Sequence, residues 1–225
     1  MNNILGIAKI NARQSKLAYW IVGAIALSLI VQGFLALIGV PTGSMAAGNS
    51  LYLLPLLIAI FIPALNFTKI MNLGGKRADF FKACILNYAV VALLVTAAAL
   101  GLYYTFDAAV QYHTYDALNL FDVFGFIQNG PIIAFIQMFA FLLLLSAFTH
   151  TLTLSQTRWY GIAASIAIVA IISVFTPIAP LRAALVWFFN MIIFHNSAAV
   201  QIASCLVLAT IIYALSLFPI KSKGA

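Results

Sequence analysis

Six long stretches of this chain carry no Asp, Glu, Lys or Arg: Leu17 to Val40, Leu51 to Thr68, Ala83 to Phe106, Pro131 to Thr153, residues 159–176, and Ala198 to Ile220. About 20 apolar residues in a helix cross a hydrocarbon core roughly 30 Å thick. Inside lipid the backbone must satisfy its own hydrogen bonds, so runs of this length imply helices. The composition agrees, because 65% of residues are hydrophobic and only 7% are charged. A soluble domain carries roughly 25% charged residues, so this chain cannot cover a water-facing surface. The expected fold is therefore all-α: one polytopic transmembrane domain over residues 1–225 with six transmembrane helices.

The charges lie between these runs, sorted by sign. Lys9, Arg13 and Lys16 precede the first run, and Lys69, Lys76, Arg77 and Lys82 lie between the second and third. Arg158 separates the fourth and fifth, and Lys221 and Lys223 follow the last, which leaves only Arg182 of the 11 cations on the other side. Basic loops face the cytoplasm, so both termini are expected there, in a cell membrane. The same rule accounts for the net charge of +7 without nucleic acid, which is not an expected partner. Asp107, Asp116 and Asp122 share one loop free of cations, expected outside. A short outer loop opens at Pro41-Thr42-Gly43-Ser44.

Some segments do not span. In residues 1–16, Lys9, Arg13 and Lys16 fall on one helical face and Ile4, Ile7 and Ile10 on the other. That pattern predicts an interfacial helix with its basic stripe towards membrane lipids; the alternative is a solvated leader. A cleaved signal peptide is disfavoured, because the first run is too long for an h-region. Pro55 and Pro63 should bend the second helix, and Pro131 suits the first turn of the fourth. Pro177, Pro180 and Arg182 break the chain, and Ala183 to Phe194 is too short to cross. With the polar break His195-Asn196-Ser197, residues 177–197 predict a re-entrant segment.

The chain lacks the groups of known intramembrane catalysts. It contains no glutamate, no H-E-x-x-H and no paired acids within a run. His150 and His195 have no acid partner, Cys84 and Cys205 read as buried small hydrophobes, and Ser44 lies in a loop. Gly74-Gly75-Lys76-Arg77 holds a "GK" but has Arg where a phosphate-binding loop needs Ser or Thr. The chain is therefore not expected to be an enzyme or to bind a cofactor. Polar residues inside the runs are Gln32, Asn66, Asn87, Gln137 and Gln201. Each could line a translocation path, or could bond one helix to another, which is the commoner role in lipid.

The layout of basic helix, two spans, basic cytoplasmic segment, three spans, outer break and last span resembles ABC-2 type transporter permeases. Its residue-level signature is the 69–82 segment, with Gly74, Gly75, Lys76, Arg77, Asp79, Phe80 and Phe81. Within the family the resemblance is to small bacterial permeases of antimicrobial-peptide and lantibiotic transport or immunity. It implies a membrane subunit that pairs with itself or a similar permease and docks a cytoplasmic ABC ATPase, which would hold ATP and Mg. The 69–82 segment would be the coupling helix, with Phe80 and Phe81 beside the cations as an amphipathic knob. The alternative is that these phenylalanines anchor the third span in the interface. An ATP-independent carrier or channel, and a non-transporting scaffold or sensor, are the competing functions.

Overall fold

The computed structural model describes residues 3–14, 16–38, 46–108, 118–156 and 158–222. The Pro41–Ser44 loop, Asp116 and Lys223 lie outside these residues. Among the described residues every regular element is helical: α1 (Asn3–Gln14), α2 (Lys16–Leu37), α3 (Leu53–Phe61), α4 (Phe67–Asn72), α5 (Arg77–Leu102), α6 (Leu120–Val123), α7 (Pro131–Ser155), α8 (Trp159–Phe175), α9 (Ala179–Phe189), α10 (Ala198–Leu215) and α11 (Leu217–Ser222).

Among the described residues four continuous helical stretches are long and apolar enough to cross a membrane: Gly48–Asn72, Arg77–Asp107, Pro131–Ser155 and Ala198–Pro219. α8 and the helix running from Ala179 to Phe194 meet at 118° and together make a fifth candidate. The chain is thus a multi-pass helical membrane protein. α2 is a helix of 22 residues, although the apolar helix counted in it is the shorter Val22–Leu35. Among the described residues there are thus four or five candidate spans, where six are expected. The 31-residue Arg77–Asp107 helix is about 46 Å long at 1.5 Å per residue, enough to pass through both interfaces.

Pro55, Pro63, Pro131 and Pro180 lie at helix starts and at irregular stretches. Pro63 lies in a π-helical stretch, Ile62–Asn66, that joins α3 to α4. Pro55 follows a 3-10 turn (Ala47–Tyr52) and occupies the first turn of α3. Pro131 begins α7 directly after Gly130, whose φ of +87° sets the turn. α8 ends at Phe175, and α9 starts at Ala179 with Pro180 in its first turn. Two further π stretches extend α5 (Tyr103–Asp107) and α9 (Asn190–Phe194).

α5, α7 and α3 form the centre, and α10 lies along α7 in the most extensive helix pair. These helices are apolar along their spans, so hydrophobicity alone does not mark the packed face. On α5 the packed stripe is Phe80, Ala83, Cys84, Tyr88, Ala92, Val95, Thr96 and Ala99, at the i, i+3/i+4 spacing of one helix face. Ile85, Leu86, Val90, Leu93 and Leu94 face outward. Small residues let backbones approach, and large aliphatic ones meet lipid. Of the Ala97-Ala98-Ala99 run, only Ala99 is packed. By contrast α8 buries only Gly161, and α9 buries no residue.

α1 is amphipathic in the expected sense, with Lys9 and Arg13 exposed and Ile7, Ala8 and Asn11 buried. Its buried face rests on α5 rather than on lipid alone. Asn66 of the π stretch donates from Nδ2 to Oδ1 of Asn11 at 3.1 Å, tying α1 to the second span.

Candidate functional site

At the basic end, α4 stops in a Schellman turn. Gly75 N–H donates to Ile70 O at 2.9 Å and Gly74 N–H to Met71 O at 3.0 Å. These are the 6→1 and 5→2 bonds of that motif. Gly74 takes φ +79°, a left-handed conformation that costs any other L-residue about 1–2 kcal/mol. A Cβ on Gly75 would stand 2.5 Å from Ile70 Cγ2 and 2.8 Å from Ile70 O. Both glycines are therefore required by the turn itself. α5 begins at Arg77, and Asp79 in its first turn complements the helix dipole.

The connection between α4 and α5 is residues 73–76, so no separate coupling helix intervenes. Leu73 is 75% exposed, and Lys69, Asn72, Lys76 and Lys82 are exposed around it. Phe80 corrects the expectation of an aromatic docking knob, because it is 0% exposed and meets Phe67 edge-to-face at 5.3 Å. Phe81 is half-buried, with its ring 4.4 Å from that of Tyr213. The helix turns inward at residue 80, so the aromatic residues belong to the core. The surface of this end consists of Leu73 and the cations.

Deeper in the same half, Tyr88 of α5, His150 of α7 and Tyr213 of α10 meet. The Tyr88 hydroxyl and His150 Nδ1 are hydrogen-bonded at 2.7 Å, and the His150 and Tyr213 rings stack at 4.9 Å. The Tyr213 hydroxyl donates to Phe81 O at 2.9 Å. An apolar cleft of about 340 Å³ runs past this cluster, lined by Ile85, Tyr88, Leu143, Leu206, Thr210 and Tyr213 among others.

The opposite end is polar. Asn49 donates to Leu118 O at 2.7 Å and accepts from Leu120 N at 3.0 Å. Asp107, expected in a loop, is buried in the π stretch at the end of α5 and accepts from Asn119 Nδ2 at 2.9 Å. Asn119 caps α6 by accepting from Phe121 N. Beside this knot a cleft of about 470 Å³ opens between the α6–α7 connection and the α9–α10 break. Its polar lining is Asp122, Gln128, Asn129, Gln137, His195 and Asn196.

The amide residues proposed to line a path fall at separate contacts. Gln32 donates to Ser28 within α2 at 3.2 Å, and Asn66 bonds Asn11. Gln201, fully buried, donates to Ile192 O at 2.9 Å and so ties α10 to the π stretch after α9, while its Oε1 is unpaired. Half-buried Asn87 keeps an unpaired Nδ2. Gln137 lines the polar cleft, where its Oε1 accepts from Asn129 at 3.1 Å. Sequence reasoning took Gln128-Asn129 and His195-Asn196 for helix breaks. Each pair looks like an ordinary polar helix end, and nothing in residue order joins the two into one cleft.

No protein-family model, curated protein or solved structure matches the chain.

Proposed function

We propose that this chain is the membrane-spanning permease subunit of an ATP-driven ABC transporter. It crosses a bacterial plasma membrane six times with both termini cytoplasmic, and α2 and the α8–α9 hairpin complete the spans. A separate cytoplasmic ATPase docks at the basic turn, and ATP binding there drives export of a peptide, lipid or other amphipathic substrate. Two copies, or this chain and a similar one, meet through the nearly unburied faces of α2 and α8.

The observation that carries the reading is the exposed turn of Lys69, Leu73 and Lys76, held by two backbone bonds where α4 gives way to α5. An apolar knob flanked by cations is the chemistry of a partner-docking element, and its rigidity suits the transmission of force to α4 and α5. A cysteine at Leu73 carrying a short cross-linker should capture a soluble P-loop protein in native membranes. The same probe at Asn129→Cys, exposed at the opposite end, should not. Cys84 and Cys205 are buried and stay silent. Failure at Leu73→Cys, or equal capture from both ends, would count against the reading.

One observation favours a second reading, an ATP-independent carrier. The buried Tyr88–His150 pair places an ionisable group inside the helical bundle, where such groups commonly mark proton or ion paths. That carrier would transport alone in liposomes.

A further inference from the structure

The polar cleft at the end opposite the basic turn has the chemistry of a cation site. Among the described lining residues Asp122 supplies the carboxylate and none is Lys or Arg, with His195 the titratable neighbour. The Tyr103 hydroxyl donates to Asp122 Oδ1 at 2.8 Å, which fixes the carboxylate and leaves Oδ2 for another donor. Phe124 and Phe194 form one wall, with ring centroids 6.0 Å apart and planes at 83°. Phe194 is 49% exposed although it ends a helix otherwise held by buried Ile192 and Ile193. Gln137, 1% exposed, sits at the floor. Gln128 and Asn196 add amide oxygens at the mouth.

A carboxylate, amide side chains and aromatic rings lining one space suit an N–H-bearing cation. The carboxylate and amides accept its protons, and ring faces attract positive charge. An anion would meet the Asp122 carboxylate with no Lys or Arg among the described lining residues to offset it. The cleft also stands at the start of α7, where Ile132 and Ile133 are exposed, so an alkyl chain attached to the cation could lie along the bundle. We infer that the cleft formed by Asp122, Phe124, Gln128, Gln137, Phe194 and Asn196 binds the primary ammonium group of an amphiphile. This binding does not rest on the ATPase-coupled reading, since the site is complete within one chain. A free cationic amphiphile and an aminophospholipid headgroup both offer that group.

The test uses the full chain in phosphatidylcholine nanodiscs, titrated with dodecylammonium and, separately, with dodecyl sulfonate, against empty nanodiscs. Saturable one-to-one calorimetric binding of dodecylammonium, absent for the sulfonate, is expected. Asp122→Asn should weaken it by roughly tenfold or more, the scale of losing one charge-assisted contact. Its amide oxygen can still accept from Tyr103, which keeps the fold, and an unchanged melting curve verifies this. Phe194→Leu should weaken binding by a smaller factor. Replacing part of the phosphatidylcholine by phosphatidylethanolamine separates the sources. Competition assigns the site to lipid headgroups, and undiminished binding assigns it to free cations; both outcomes support the ammonium site. No saturable binding, equal binding of the sulfonate, or an unaltered affinity in Asp122→Asn would overturn it.

Discussion

Phe80 shows how a residue's role turns on a single helical step. Its neighbour Asp79 is half-buried and Lys82 exposed, whereas Phe80 packs edge-to-face on Phe67 with no exposed surface. Removing a fully buried aromatic ring costs about 3–5 kcal/mol through lost packing and the cavity left behind. Phe80→Ala should therefore lower folded yield and the midpoint of denaturation in mild detergent, measured by tryptophan fluorescence. A variant as stable as the parent would restore Phe80 as a surface contact. Leu73, seven residues earlier in the turn before α5 and exposed, is the position where substitution should alter docking and leave stability unchanged. The glycines beside it were legible as a motif, but their cause was not. The pattern of Gly, basic residue and aromatic arises here from a Schellman turn followed by a core-facing helix start. A turn's backbone bonds cannot be seen in residue order alone.

At the scale of elements, the apolar runs of α5, α7 and α10 were readable because lipid demands uninterrupted hydrophobicity. Their packed faces were not. A helix apolar on all sides gives no periodic signal, and nothing in side-chain size separates buried Ala99 from exposed Ala97 and Ala98. The three π stretches were equally hidden, although Pro63 marked one of them. Each lies beside a polar tie: Asn66 to Asn11, Asp107 to Asn119, and Ile192 O to Gln201. A π turn releases backbone groups from the regular ladder, and Gln201 meets one such carbonyl with its side-chain amide. Gln201→Leu should loosen the α9 hairpin locally. Amide hydrogen exchange over residues 190–195 should rise by about tenfold, the factor for losing one hydrogen bond of about 1.4 kcal/mol, with α7 unaffected. Unchanged protection there would mean that Cys205 Sγ, 3.2 Å from the same carbonyl, or packing alone holds the hairpin.

For the whole molecule, charge sorting and run length foretold a multi-pass helical membrane protein, and the long apolar helices bear this out. The expected break before the last span is present as the 118° bend between α8 and α9. The polar cleft was not legible, because its halves come from segments some 70 residues apart that look like ordinary helix ends. The division of labour we propose follows from the distribution of surface. The basic end offers a rigid, exposed turn to a soluble partner, the weakly buried α2 and α8 offer apolar faces to a second copy, and the far end offers a polar cleft.

The central claim is that this membrane chain works with a separate ATPase. Its most direct test is gentle solubilisation of native membranes, affinity capture of the tagged chain and mass spectrometry of what accompanies it. The account predicts a stoichiometric soluble protein bearing a nucleotide-binding P-loop, lost when Leu73 is replaced by Asp while the folded yield of the chain stays constant. Recovery of the chain alone, or only with copies of itself, across several mild detergents would contradict it.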